Sequence, residues 1–493
     1  MRAVLRIAGW PLAATAALLL AACDRADDSV VRVVAIGAKD DAFVRGGQWP
    51  LAAQLVRSSA AEGLVSLDEQ GRVVPALADR WIVTDDGRSY IFRLRDGSWR
   101  NGDPLTARAA QTALRGAIAA LKGSALGLDL AGIDDIRTMA GRVVEIRLSQ
   151  PMPNLLNLLA QPELGLLDKR EGAGPMVLTR EAETAVLTPI NPETLGLPAV
   201  KKFDERMRVI RLVALPGEGA VARFNNGDAD VLLGGRIEDF PLASSVGILR
   251  GTIQIDPVTG LFGLAVMNAD GFLATPENRE AIAMAIDREA LIAAFGVGGW
   301  APSTRVVSPG LDGDLGTIGE RWTALDLEQR RTLARSRVAA WHSADDSGGI
   351  RLRIALPKGP GADVLFGGIK RDLAAIGIEA VRVGTGQTTD VRLVDDIARY
   401  PQPAWFLNRF NCRVQRGLCN QAADDRAAEA RATDDPAAQA ALLAEAEAEL
   451  TASNVFIPFG APIRWSLVRS DAIGFAPNRW AWHPLMPMAL RPK

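Results

Sequence analysis

Cysteine and histidine, the side chains that most often bind zinc or serve as a nucleophile and its base, are scarce in this chain of 493 residues. It contains three cysteines, Cys23, Cys412 and Cys419, and two histidines, His342 and His483. The histidines lie far apart, and neither has a neighbouring Cys or His, so the ligand spacing of a zinc site is missing. The sequence also lacks a phosphate-binding glycine loop and the common hydrolase and metalloprotease motifs. It therefore predicts no metal site, no cofactor and no enzyme activity.

Charge and length exclude further classes of protein. The 56 basic and 58 acidic residues give a formal charge of −2, so no excess of either sign points to nucleic acid or to a polybasic membrane surface. The length is sufficient for two or three units with their own cores. A hydrophobic fraction of 48% is ordinary for a globular protein.

The amino terminus has the features of an export signal. Arg2 and Arg6 precede an apolar run from Ile7 to Ala22, which is shorter than the roughly 20 residues that a membrane-spanning helix needs. The run ends in Leu-Ala-Ala-Cys, which resembles a bacterial lipoprotein signal in which residues 1–22 are removed and Cys23 is lipidated. An ordinary secretory signal that happens to contain a cysteine is the alternative. We expect a periplasmic protein with a lipid anchor, and the sequence leaves open which membrane holds it.

Lipidation of Cys23 would leave Cys412 and Cys419 as the only other cysteines. An extracytoplasmic compartment permits disulfides, so we expect these two residues to be bonded to each other. Two free thiols in a mobile loop are the alternative.

The elements that position the polar and aromatic residues belong to the α/β class. Alternation in residues 81–94, around an Asp-Asp-Gly turn at 85–87, predicts a β-hairpin with Tyr90, Phe92 and Leu94 on one face. A strand, helix and strand over residues 352–383 form a predicted βαβ unit. Elsewhere the periodicity and capping signals predict helices at 106–121, 151–159, 276–295 and 424–450, and strands at 30–38, 142–148, 208–214 and 263–268.

Three sequence motifs point to one family. The first spans residues 63–107 and contains G-L-V, P-A-L-A-x-x-W, D-D-G-x-x-Y-x-F-x-L-R and N-G-D-P-L-T-A. The second is R-x-A-x-x-x-A-I-D-R at residues 279–288, and the third is A-x-Y-x-x-P-x-x-F-L at residues 398–407. Together they closely resemble extracytoplasmic solute-binding family 5, the receptors of ABC importers for oligopeptides, dipeptides, nickel and related solutes.

The resemblance implies a two-lobed periplasmic-binding-protein fold of the class II type, with an extra subdomain inserted in the first lobe. Lobe I would comprise residues 24–63, 173–262 and 464–493. The inserted subdomain would comprise residues 64–172, and lobe II residues 263–463. In such a fold, hinge motion closes the cleft between the lobes around a ligand.

The function implied by the resemblance is that of a substrate-binding lipoprotein of an ABC importer. It would capture a peptide-like or other polar solute in the inter-lobe cleft and deliver it to a membrane permease powered by a separate ATPase. We expect a monomer that does not bind nucleic acid. A receptor-like lipoprotein that no longer imports, acting as a sensor or a periplasmic folding factor, is the alternative. A hydrolase would need a nucleophile and a base, and the sequence offers no recognisable pair.

The third motif departs from the peptide-binding members at one position. Those members carry A-D-Y-x-x-P-x-x-F-L, in which the Asp pairs with the amino terminus of the peptide, whereas this chain has Arg399. Because an ammonium group and a guanidinium repel each other, the departure predicts a ligand that is not held through a free α-amino group. Arg399 would instead suit a carboxylate, phosphate or sugar oxygen. Two alternatives stay open: Asp395 or Asp396 neutralises Arg399, or one of these acids serves the amine.

The other candidate ligand contacts are aromatic and amide side chains, which commonly line large clefts. They are Tyr400, Trp405, Trp465, Trp480 and Trp482, with Asn268 at the end of a predicted strand. For any single tryptophan, packing in the core is the alternative.

Overall fold

The computed structural model describes residues 29–46, 49–244, 252–344 and 349–492. The predicted signal at residues 1–22 and the lipidation site Cys23 lie outside the described residues. Within the described ranges, no helix is both long and apolar enough to span a bilayer.

The described strands form three sheets and one short two-stranded ribbon. In chain order they are β1 (Val30–Ile36), β2 (Val65–Leu67), β3 (Val73–Pro75), β4 (Ala78–Val83), β5 (Ser89–Leu94), β6 (Ile133–Met139), β7 (Val143–Leu148), β8 (Met176–Glu181), β9 (Thr184–Pro189), β10 (Val209–Leu215), β11 (Val231–Gly235), β12 (Ile253–Ile255), β13 (Gly260–Val266), β14 (Arg351–Ala355), β15 (Glu379–Val383), β16 (Val391–Ile397), β17 (Phe456–Gly460) and β18 (Trp465–Val468).

The described α-helices lie between these strands. They are α1 (Leu51–Ala60), α2 (Ala107–Ala120), α3 (Ala125–Asp129), α4 (Leu155–Leu159), α5 (Phe203–Arg206), α6 (Gly217–Asn225), α7 (Phe240–Ala243), α8 (Pro276–Ala285), α9 (Arg288–Ala293), α10 (Leu327–Ala344), α11 (Pro360–Ala374), α12 (Pro403–Asn408), α13 (Gln421–Ala432), α14 (Pro436–Ser453) and α15 (Leu485–Met488).

Lobe I is built on a seven-stranded sheet with the order β12-β18-β11-β1-β10-β9-β8. The central strand β1 reads VVRVVAI, a nearly continuous apolar run of the kind that a parallel strand covered on both faces requires. It pairs in parallel with both β10 and β11. The carboxyl ends of these three strands, at Ile36, Leu215 and Gly235, therefore lie at one edge of the sheet, where a ligand cleft usually forms in α/β proteins.

Lobe II is built on a five-stranded sheet with the order β15-β14-β16-β13-β17. Strands β14 and β15 are parallel and are joined by α11, which confirms the predicted βαβ unit. Strand β16 lies between β14 and β13. It pairs in parallel with β14 and antiparallel with β13. The sequence analysis did not identify β16 as a strand, and its last residues carry the acids Asp395 and Asp396.

The inserted subdomain contains the four-stranded sheet β4-β5-β7-β6 and the ribbon β2-β3. Strands β4 and β5 pair antiparallel, with Trp81 opposite Phe92, which confirms the predicted hairpin. Tyr90, Phe92 and Leu94 are all buried, as the alternation predicted. Helix α2 begins where expected, because the Thr106 hydroxyl accepts a hydrogen bond from the backbone of the first turn.

Two predicted helices are interrupted. The helix predicted at 276–295 ends at Ala285, and a second helix starts at Arg288, where the Asp287 side chain caps it. The segment 424–450 lies in the two helices α13 and α14, because residues 433–435 break the pattern and Pro436 fits only in a first turn. These breaks change the helix axes without changing the α/β class.

The chain crosses between the lobes twice, at residues 256–259 between β12 and β13 and at residues 461–464 between β17 and β18. Strand β17 belongs to the lobe II sheet, and the second crossing comes directly after it. The lobe limits given above remain a proposal. In the structure, β13 belongs to the lobe II sheet and begins at Gly260, before the proposed limit at residue 263.

Candidate functional site

Arg236 stands at the cleft edge of lobe I because β11 ends at Gly235 directly before it. Gly235 lies against the ring of Trp465, and a Cβ there would collide with that ring. The Trp465 indole Nε1 donates a hydrogen bond of 2.9 Å to the carbonyl oxygen of Arg236. Trp465 is buried, and this contact fixes the backbone from which the Arg236 side chain reaches lobe II.

Arg236, Asp395 and Arg464 form a charged cluster where the two lobes meet. The Arg236 Nε lies 3.2 Å from Asp395 Oδ2, and the Arg464 guanidinium lies 2.6 Å from Asp395 Oδ1. Burial alone would lower the pKa of Arg236, but the charges of Asp395 and the neighbouring Glu238 raise it. Burial dominates for Arg464 and lowers its pKa, although Asp395 opposes this effect. The Asp395 carboxylate is therefore shared by two guanidinium groups, one from the residue that follows β11 and one from the second crossing segment.

A disulfide-closed loop places a further cation beside this cluster. Cys412 and Cys419 are joined by a disulfide with a Cα–Cα distance of 5.1 Å, which is the pair that the sequence analysis named. Arg416 of this loop lies 2.9 Å from Asp396 Oδ2. Burial raises the pKa of Asp396, but its pairing with Arg416 prevails and lowers it. The backbone N–H of Leu418 donates to the carbonyl of Val266, which fastens the loop to β13.

Arg399 is paired with an acid of the inserted subdomain. Its NH1 and NH2 groups lie 2.7 and 2.8 Å from the two carboxylate oxygens of Glu163, and NH1 also donates to Gln161. The pKa of Glu163 is lowered because the Arg399 charge outweighs the effect of burial. Neutralisation of Arg399 was foreseen, but through Asp395 or Asp396. Asp395 and Asp396 bind other arginines. Glu163 binds the two guanidinium nitrogens of Arg399 that were expected to bind a ligand.

Tyr400 and Trp405 lie in the contact between the inserted subdomain and lobe II. The Tyr400 hydroxyl donates to the buried carboxylate of Asp129, which also accepts from Asn408 and from the Arg409 guanidinium at 2.5 Å. The Arg409 guanidinium lies 4.5 Å from the centre of the Trp405 ring. Both aromatic side chains are buried, so packing accounts for their positions in this structure.

The remaining predicted contacts are dispersed. Asn268 follows β13 by two residues, at the end of the strand away from the first crossing segment. Its side-chain amide donates to Asp390 and to the carbonyl of Thr389. The Trp480 indole donates to the carbonyl of Gly71, and Trp482 is buried in the core of lobe I. Structural roles account for these three side chains.

A cavity of about 380 Å³ adjoins both crossing segments. It lies within the volume range of small-molecule sites. Its wall combines residues 255–262 with residues from the segments 297–309 and 456–463, and Phe262, Trp300 and Phe456 supply its aromatic side chains. Sequence reasoning missed the 297–309 segment, because a Gly- and Pro-containing loop carries no signal of its own for a binding wall.

The described residues contain no cluster of three or more His, Cys, Asp and Glu side chains that could hold a metal ion. His483 is buried, and its Nε2 lies 3.2 Å from a carboxylate oxygen of Asp256. His342 lies in the last turn of α10. Neither arrangement resembles a nucleophile–base pair.

Two α/β lobes, joined by two crossing segments beside a cavity, define the two-lobed periplasmic-binding-protein fold. Residues 72–186 and 205–414, more than half of the chain, match the model of the bacterial extracellular solute-binding proteins, family 5. The chain therefore belongs to this solute-binding family.

Curated relatives resemble parts of the chain. A probable deoxycholate-binding periplasmic protein, YgiS of Escherichia coli (strain K12), is 36% identical over 127 residues, which cover 21% of this chain and 23% of YgiS. The periplasmic murein peptide-binding protein MppA of the same organism is 25% identical over 270 residues, or 46% of this chain and 47% of MppA. The chain thus spans about half or less of the length of these relatives.

A solved structure shares the fold over almost the whole chain. The oligopeptide-binding protein OppA of Haemophilus influenzae, in complex with the peptide RPPGFSPFR, aligns with a TM-score of 0.80 and 18% sequence identity. The alignment covers 94% of this chain and 99% of the OppA chain. At this identity the likeness concerns the fold alone.

Proposed function

We propose that this chain is the solute-binding component of an ABC importer, located in the periplasm and attached to the membrane by a lipid on Cys23. It captures a small solute between lobe I and lobe II and presents the closed form to a permease whose ATPase supplies the energy. The observation that carries the proposal is the cavity of about 380 Å³ beside the two crossing segments. A hinge at these segments would open and close that space.

The charged cluster around Asp395 supports a closing motion. Arg236 comes from lobe I, Asp395 comes from lobe II, and Arg464 lies on the segment that connects them. An ion pair between the two lobes stabilises the closed arrangement. When the lobes separate, water solvates both charged groups. The protein has no catalytic task in this scheme, which agrees with its solute-binding family.

The ligand is not held through a free α-amino group in this proposal. Peptide-binding members place an acid at the position of Arg399, and here that position carries a guanidinium paired with Glu163. A free ammonium group at this place would have to displace Arg399 from its carboxylate. The curated relatives differ in what their names say they bind, a bile acid for YgiS and a murein peptide for MppA, so the family leaves the solute class open.

The test combines identification of the solute with a transport assay. Mass spectrometry of the denatured protein should reveal a co-purifying small molecule. The loaded protein should then stimulate ATP hydrolysis by its permease and ATPase in proteoliposomes, and adjacent genes for both are expected. Solute binding without any stimulation would contradict import and favour the sensor or folding-factor alternative.

A further inference from the structure

The cavity beside the crossing segments has a mainly apolar wall. Its side chains include Phe262, Trp300, Val306, Phe456 and Ile463. The Trp300 indole Nε1 is already engaged, because it donates a hydrogen bond of 2.8 Å to the carbonyl of Ala461. The aromatic surface of this wall therefore offers contact area and little hydrogen bonding.

Charged side chains that line this cavity are bound by the protein itself. Asp256 accepts hydrogen bonds from the backbone N–H of Asn478 and from His483. Arg305 is held between Asp314 and Glu447, at 2.9 and 2.8 Å.

Glu320, at the exposed rim of the cavity, is held as well. Its carboxylate accepts hydrogen bonds from both hydroxyl groups of Ser303 and Thr304 and from the Thr304 backbone N–H.

Charged side chains of the neighbouring cleft are likewise bound within the protein. Asp395 is bound by two arginines, Asp396 by Arg416, and Arg399 by Glu163. A charged group of a ligand would lose its water and would have to compete with these ion pairs for a counter-charge, which is unfavourable in a partly buried site.

We propose that this cavity takes an uncharged solute with an apolar face, which binds through aromatic contact and through backbone groups of the crossing segments. Blocked peptides, amides and lactones are solutes of this class. The proposal rests on the proposed function, since it names the ligand class of the same cleft. It departs from the expectation that Arg399 binds an anionic group.

The test uses four probes with one skeleton and different charges. They are the dipeptide Leu-Phe as a zwitterion, its N-acetyl form as an anion, its amide as a cation, and N-acetyl-Leu-Phe-amide as the neutral member. Protein freed of co-purified solute is titrated with each probe by calorimetry. We expect the neutral probe to bind at least about tenfold more tightly than any charged one, a ratio that corresponds to ~1.4 kcal/mol.

A cavity-filling variant locates the binding. Gly298 lines the cavity, and a Cβ at this position would meet no atom within 4 Å, so Gly298→Phe should fill the space without disturbing the backbone. Gly386 lies in the loop between β15 and β16, also with no atom within 4 Å of its Cβ, and Gly386→Phe is the matched control. Ala461→Phe fills the cavity from the second crossing segment if the first variant folds poorly.

We expect the neutral probe to lose at least about tenfold in affinity when a phenylalanine narrows the cavity, in Gly298→Phe or in Ala461→Phe, and to keep its affinity in Gly386→Phe. Tighter binding of any charged probe, equal binding in Gly298→Phe, or no binding of any probe would overturn the proposed ligand class. None of these results would affect the co-purified solute or the ATPase stimulation, so failure of this inference is distinguishable from failure of the proposed function.

Discussion

Lobe II makes two contacts of different character, one with the inserted subdomain and one with lobe I. The contact with the inserted subdomain resembles a protein core, since Leu126 and Leu130 belong to the same buried apolar cluster as Trp405 and Phe406. The buried acid Asp129 in this contact accepts hydrogen bonds from three lobe II side chains. The contact with lobe I also contains buried apolar side chains, with Ile237 and Leu365 in one cluster, but at the hinge it adds the charged cluster around Asp395 and a cavity.

The difference indicates how the molecule opens. Separating the lobes at the charged cluster lets water solvate both partners of each ion pair, which offsets part of the lost attraction although Asp395 and Arg464 are buried in this structure. Separating the core-like contact would expose apolar surface and strand a buried ion pair, which costs several kcal/mol. We therefore expect opening to start at the hinge cleft, while the inserted subdomain stays on lobe II.

The largest effect is expected from breaking the core-like contact at Asp129. Asp129→Ala leaves the buried Arg409 without its partner, and the free energy of unfolding should fall by about 3–5 kcal/mol. Urea unfolding measures this change. Glu429→Ala removes an exposed ion pair with Arg426 and serves as the control, with an effect within about 0.5 kcal/mol. A loss below about 1 kcal/mol for Asp129→Ala would show that the contact is not core-like.

An intermediate effect is expected from the disulfide on the hinge side. Replacing Cys412 and Cys419 by Ser together should lower the free energy of unfolding by roughly 2–3 kcal/mol, because the unfolded chain loses a constraint on a short loop. The loop carries Arg416, so its pairing with Asp396 should weaken as well. Two reactive thiols per denatured, unreduced molecule of the native sequence would refute the bonded pair.

The smallest effect is expected from Glu163, at the border of the two contacts. Its folded-state pKa is lowered by Arg399, so the ion pair contributes stability above the unfolded pKa of about 4.3 and loses it as the pH falls through the folded pKa. Glu163→Gln should therefore lower the free energy of unfolding at pH 7 by about 1–2 kcal/mol, the size of a hydrogen bond to a charged group, and the difference from the native protein should shrink as the pH falls below about 4.3. Urea midpoints across this pH range measure it, and a difference independent of pH would exclude the ion pair as its source.

Local signals in the sequence were sufficient for much of the fold. The hairpin around Phe92 follows from period-two alternation, and the start of α2 follows from the capping residue Thr106. Strand β16 was missed because its sequence, VRLVDDI, does not alternate cleanly and ends in two acids. Helix α10 was missed because most of its residues are polar, so its apolar face is weakly marked.

The site was harder to predict than the fold, for a physical reason. Arg399 pairs with an acid 236 positions away, and Asp129 is bound by residues more than 270 positions away. No local pattern encodes such a partner, because it depends on how the inserted subdomain packs on lobe II. The motif around Arg399 therefore indicated an unusual position without revealing what occupies it.

Lobe II also touches lobe I where α11 begins, and this contact is made by backbone. A Cβ at Gly361 would collide with the carbonyl oxygen of Ile237, and one at Gly359 would press against that of Glu238. Backbone atoms of the two lobes are in contact there. Substitution of surface side chains therefore does not change how closely the lobes approach each other. A methyl group at Gly361 would keep the two lobes from approaching this closely. The width of the closed cleft therefore depends on the absence of a side chain at Gly359 and Gly361.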